Sequence, residues 1–167
     1  MDLGDVGGQS FSWDAATAVT VAIDVWEIAM TAGLYGRAGG ISLTQTTDLG
    51  DAAHEIINFQ WVYGNTTSGS GGSASPIQSP IGFGGDRTGV SAVECRNTTA
   101  ASGGSPAGGI VHGWNVLQPL DLWYPNGLEP TLQAPETTAK NVVRLLAAPA
   151  DSITMHSTVY IRNGVYA

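Results

Sequence analysis

Three histidines, one cysteine and fourteen carboxylates are the side chains of this 167-residue chain best equipped for acid–base, nucleophilic or metal chemistry. His54 stands beside Glu55, which suggests a metal or proton-transfer pair. Adjacent residues on a strand point to opposite faces, however, and no HExxH frame surrounds them. Asp48 and Asp51 flank Leu49 and Gly50 and could bring carboxylates to a calcium ion, but the twelve-position spacing of an EF-hand is missing, so they read as a turn cap. His112, near Trp114 and Asn115, and His156 on the last strand read as surface or hydrogen-bonding histidines. Cys95 lies between Glu94 and Arg96 with no histidine assigned to it, and no GxSxG elbow raises a serine to a nucleophile. The glycine clusters GFGGD (Gly82 to Asp86) and AGG (Ala38 to Gly40) lack a phosphate-loop lysine and read as turns. The expectation is no enzyme, no catalytic residue, no metal and no cofactor.

Composition narrows the classes further. Charged residues make up 12% of the chain, against about 25% in an ordinary soluble domain, and Gly, Ser and Thr are abundant. Net charge is -8, with one lysine and five dispersed arginines, so phosphate-driven binding to nucleic acid is not expected. The opening MDLGDVGGQSFSWD has no apolar stretch of signal-peptide type, and no long apolar run spans a membrane. Synthesis in, and retention by, a host cytoplasm is expected. Cys95 alone cannot form an intrachain disulfide.

The elements that must position any site are strands. Thr17 to Val25, Glu55 to Tyr63 and Ser152 to Arg162 each alternate with a period of two. In the second, Phe59 and Trp61 share an inward face; in the third, Ile153 and Val159 do. Shorter strands are expected at Trp26 to Thr31, Gly40 to Thr46, Val90 to Arg96, Ile110 to Leu117 and Val142 to Leu146. Short helices are expected at Asp48 to His54 and Thr137 to Val143. The fold class is all-β, an antiparallel sandwich, jelly-roll-like, of about eight strands with long Gly/Ser-rich loops. Residues 1–14 form an N-terminal arm and 15–167 a single domain.

Two of those loops echo each other. NTTSGSGGSASP runs from Asn65 to Pro76 and NTTAASGGSPAGG from Asn97 to Gly109, each directly after a strand. Loops this long in a compact domain are uncommon unless functional or disordered. They are expected to project as arms that contact neighbouring subunits and to add nothing to the core. An old duplication of a strand-loop unit is the other account, although INFQWVYG and VSAVECR match poorly. Trp123 and Tyr124 lie in NVLQPLDLWYPNG, where two prolines place them on an edge or loop. The simpler reading tucks both under the sandwich; exposed, they would anchor an interface.

The succession QWVYG, a TSGSGG loop, VECRNTT, GW and AAPADSITMHSTVYI resembles small β-sandwich virion proteins of tailed bacteriophages and prophages. The resemblance covers Glu55 to Ile161 and is clearest from Leu146 to Ile161. It implies a structural protein on the particle exterior, of capsid decoration or cement type. The partners expected are further copies of itself, as a trimer or other symmetric oligomer, and the major capsid or other virion proteins. Asn65, Thr66, Thr67, Asn97, Thr98, Thr99, Trp123 and Tyr124 are the expected interface. The alternative is a carbohydrate- or receptor-binding module of a head fibre or tail.

Overall fold

A computed structural model describes residues 8–13, 17–30, 35–46, 55–73, 77–81, 90–125, 127–133 and 139–164. Its strands are β1 (Gly8–Ser12), β2 (Thr17–Val19), β3 (Asp24–Met30), β4 (Tyr35–Gln45), β5 (Ile56–Asn65) and β6 (Ile77–Ile81). They continue as β7 (Val90–Asn97), β8 (Ala107–Asn115), β9 (Leu120–Trp123), β10 (Thr131–Gln133), β11 (Lys140–Leu145) and β12 (Ile153–Gly164). One sheet runs β10-β4-β12-β1-β6, with β2 on β12 and β9 on β4; the other runs β7-β3-β11-β5-β8. Every pairing is antiparallel, and four are nested: β1 with β12, β3 with β11, β4 with β9, and β5 with β8.

The inner faces of the two sheets share one core. Phe11, Ile41, Leu43, Met155 and Val159 from the first meet Trp26, Phe59, Trp61 and Val143 from the second. The Trp26 indole N–H donates to Ser157 Oγ at 2.8 Å, linking the sheets through a satisfied buried polar pair. Phe59, Trp61, Ile153 and Val159 all lie inside, as their alternation requires.

Several expectations are corrected. The described strands number twelve rather than about eight, because β1, β6, β9 and β10 are too short to display an alternation. Thr17 to Val25 is not one strand: β2 pairs with β12 in one sheet, residues 20–23 cross over, and β3 starts the other sheet. Alternation reports which way a side chain faces, not which sheet holds it. Asn141 to Val143 are strand, not helix, since β11 is gripped on both sides by β3 and β5, and pairing outweighs a modest helix signal. Ala38 to Gly40 lie inside β4 rather than in a turn; a Cβ on Gly40 would stand 2.9 Å from the Trp123 ring, so glycine here admits a close approach. The helix expected at Asp48 to His54 and the GFGGD turn lie outside the described residues. Gly8–Ser12, from the expected N-terminal arm, is β1, flanked by β12 and β6.

Candidate functional site

β3 is DVWEIAM, and all seven residues are buried. Trp26, Ile28 and Met30 fill the core between the sheets. Asp24 and Glu27 point the other way, to the outer face of the five-stranded sheet, where water would normally cover them. Here the two echoed loops do so instead.

The loops do not project as arms. They pair with each other, antiparallel, at Thr67 with Ser102 and Ser70 with Thr99, and the first continues onto β7 at Ser73 with Cys95. The Thr67–Ser102 and Ser70–Thr99 bridges each carry two backbone hydrogen bonds of 2.8–3.0 Å. Ala101 is buried beneath them with Val62 and Val142, a small second core on the outer face. The expectation that these loops add nothing to the core is therefore corrected. Gly and Ser bring little apolar area, but they let the chain lie close enough to seal what is below.

The echo has a geometric cause, because the two copies interlock reciprocally. The third residue of each NTT, Thr67 or Thr99, bridges the sixth residue of the other copy, Ser102 or Ser70. The fifth residue of each, Gly69 or Ala101, donates its backbone N–H to a carboxylate of β3: Gly69 to Glu27 at 2.8 Å, Ala101 to Asp24 at 2.7 Å. The seventh residues, Gly71 and Gly103, take φ of 84° and 74°, and each backs onto the second-position threonine of the other copy, Thr98 or Thr66. Even the preceding residues correspond, Gly64 at φ 78° and Arg96 at φ 63°. Arg96 lies 5.7 Å from the Trp13 ring centre, a cation–π contact that offsets part of the cost of a left-handed non-glycine residue.

Charge locks the clasp. Arg144 on β11 grips Asp24 through two hydrogen bonds, 2.6 and 2.9 Å, and donates to Ala101 O at 2.8 Å. The hydrogen bond to Asp24 and the nearby Asp24 and Glu27 charges raise the Arg144 pKa, outweighing burial. Asn97 Nδ2 spans Glu27 Oε2 at 3.0 Å and Glu94 Oε2 at 3.1 Å. Asn65 Nδ2 reaches Lys140 O at 3.4 Å.

The expected interface residues therefore separate. Asn65 and Asn97 are buried and serve the clasp, whereas Thr66, Thr67, Thr98 and Thr99 are exposed together on its outer side. Trp123 lies on the outer face of the other sheet, 55% exposed, with its ring centre 4.5 Å from that of Tyr160. Tyr124 turns inward: its hydroxyl accepts from Trp61 Nε1 at 2.9 Å and lies 3.2 Å from His112 Nε2. The simpler reading, with both rings tucked under, holds for Tyr124 and fails for Trp123.

Burial lowers the His112 pKa and raises those of Tyr63 and Tyr124, Tyr63 also feeling the Tyr124 phenol. His112 packs against Phe59, with ring centres 5.4 Å apart. Cys95 is buried, and His156 is half-buried on the polar side of β12. His54, Asp48 and Asp51 lie outside the described residues. Among the described residues no three His, Cys, Asp or Glu side chains gather where a metal could sit. Two open recesses, one along Val19 to Ile23 and Gly71, the other between Gln45 and Leu117, are lined by no carboxylate, histidine or cysteine.

Asp24, Glu27 and Arg144 were not expected as functional side chains. A signal existed: two acids inside the otherwise apolar DVWEIAM must be covered or neutralised if that strand is central.

No family model matches the chain, and no curated protein matches it. Among solved structures it is similar to the infectious bursal virus derived T=1 particle, at 12% identity and a TM-score of 0.27, over 98% of this chain and 41% of that one. The chain thus spans under half the length of that chain, and the likeness is too slight to establish a shared fold.

Proposed function

We propose that the chain is a structural virion protein of tailed-phage type, a capsid decoration or cement protein that associates with itself and with neighbouring capsid subunits on the particle exterior. The nested pairing carries this reading. Pairing first strand with last, β3 with β11, β4 with β9 and β5 with β8 supports a jelly-roll reading of the two sheets, β1-β12-β4-β9 and β3-β11-β5-β8, with β6 and β7 beside β1 and β3, β2 on β12 and β10 on β4. Jelly rolls of two such sheets serve viral capsids and lectins.

Fold alone does not decide function, so the use of charge matters. The buried carboxylates Asp24, Glu27 and Glu129 bind backbone amides and arginines of their own chain, which supports a scaffold rather than a catalyst. The clasp holds Thr66, Thr67, Thr98 and Thr99 in fixed positions, a contact surface that loses little entropy when a neighbour docks. In this reading residues 15–167 act as one domain, and β1 is the part of the N-terminal arm laid on its sheet.

The experiment is to add purified protein to particles assembled without it and co-sediment the two. Saturable binding, weakened by Thr66→Asp with Thr98→Asp, is expected; no co-sedimentation at any concentration overturns the reading.

One observation favours a carbohydrate- or receptor-binding module of a head fibre or tail instead: the exposed Trp123 beside Tyr160 is a platform on which a sugar ring could stack. Glycan binding abolished by Trp123→Ala would select that reading.

A further inference from the structure

We propose that the open edge of β8 pairs antiparallel with β8 of a second copy of this chain, joining two five-stranded sheets into one across a two-fold axis at Val111. The proposal deepens the self-association in the reading above and rests on it. A long unpaired edge invites another strand, and folds guard against this with short edges, charges, prolines, bulges or covering loops. Elsewhere this fold follows that rule. The far side of β7 is met by Ser73, with Ser73 and Cys95 exchanging two hydrogen bonds of 2.9 Å. At the margins of the other sheet, β2, β6, β9 and β10 are none longer than five residues.

Among the described residues β8 has no such charge, proline or covering loop; its one irregularity is a bulge between Gly108 and Val111, where its register with β5 shifts. The strand is nine residues long, AGGIVHGWN, with no proline and no Asp, Glu, Lys or Arg. Among the described residues only β5 pairs with it. Ile110 and Val111 are exposed on it, at 74% and 49%, and Ile56, 66% exposed, stands on β5 opposite Asn115 at its end.

Charge selects a second copy as the occupant. The molecule carries net -8, yet from Asn97 to Leu120 there is no charged residue at all, so two copies can meet along β8 without like charges in contact. Antiparallel pairing about Val111 sets Val111 opposite itself, with the regular stretch Val111 to Asn115 of each copy running along the other's edge. With the β7 edge met by Ser73, the pairing is isologous and closes at two rather than growing into a fibre.

Sedimentation equilibrium of the full chain, Val111→Asp and Val21→Asp tests this, with circular dichroism to confirm folding. Val21 is 44% exposed in the link between β2 and β3, away from the edge. The parent chain and Val21→Asp should be dimers, and Val111→Asp should dissociate at least about tenfold more readily, since it sets two carboxylates face to face. Val111→Cys should form a disulfide-linked dimer on mild oxidation, and it serves as the test if Val111→Asp fails to fold; Cys95 is buried and does not compete. A monomeric parent chain, a dimer indifferent to Val111→Asp, or no cross-link through Cys at 111 each overturns the proposal. Its failure is distinguishable from that of the virion reading: a monomer found in particles sinks only the β8 pairing, and a Val111-dependent dimer absent from particles sinks only the virion role.

Discussion

Asp24 and Arg144, 120 residues apart in the chain, meet in a two-pronged ion pair beneath the second echoed loop. Asp24 also takes the amide of Ala101, and Arg144 its carbonyl. One pair of charges thereby fixes β3, β11 and the loop together. The Asp24 side chain is wholly buried and that of Arg144 is 25% exposed, so neutralising the acid leaves a partly buried guanidinium without the charge it grips, and puts an amide NH2 where one carboxylate oxygen accepted.

Asp24→Asn should therefore cost about 2–4 kcal/mol, less than a wholly buried pair because water still reaches the arginine. Urea unfolding measures it. A loss below about 0.5 kcal/mol would mean that the loop is held by its backbone bonds alone.

Reciprocal interlocking makes a paired prediction. Gly71→Ala and Gly103→Ala each place a side chain at positive φ against a threonine of the other copy. Each should lower stability by about 1–2 kcal/mol or more. Gly127→Ala, also at positive φ but with nothing within 4 Å, should show the conformational part alone. Equal losses at all three positions would contradict close interlocking.

Removing Thr66 to Ser73 in favour of a short turn should destabilise the domain by several kcal/mol, since Glu27 loses the Gly69 amide and Ala101, Val62 and Val142 lose their cover. Thermal unfolding checks it. A shortened chain that melts like the parent would restore the loops to mere connectors.

Much of the core was legible in the sequence, and the reason is local. In FQW and ITMHSTV the period of two tells inside from outside without knowledge of any partner, so Phe59, Trp61, Ile153 and Val159 could be placed. Strands such as Leu120–Trp123 and Thr131–Gln133 are too short to carry that period and exist because β4 supplies their hydrogen bonds. The echo of NTT was visible, but not its meaning, since Thr67 meets Ser102 and Thr99 meets Ser70 only once β5 and β7 stand on either side of β3 and β11. Trp123 and Tyr124 were read as a pair, yet neighbours on an extended chain face opposite ways, one outward and one to Trp61.

Trp61→Ala should cost about 3–5 kcal/mol, the cavity of a fully buried indole together with the hydrogen bond it gives Tyr124. Trp61→Phe should cost less, because the ring volume is largely kept. An unchanged denaturation midpoint for Trp61→Ala would reverse the assignment of faces on β5.

His112 supplies a pH dependence. Burial lowers its folded-state pKa below the usual 6.5, so the unfolded chain binds the proton more readily. Its contribution to stability is complete above pH 6.5 and is lost as pH falls from there toward the folded-state value. The melting temperature of His112→Gln should fall less than that of the parent between about pH 7.5 and 5. Parallel curves would show that the imidazole is not desolvated.

Quantitative mass spectrometry of purified particles, from cells carrying the gene for this chain, tests the structural role most directly. The protein should be present in a fixed, high copy number relative to the major capsid subunit and be retained through density-gradient purification. Its absence from purified particles, with the protein recovered only from the soluble cell fraction, would contradict the account.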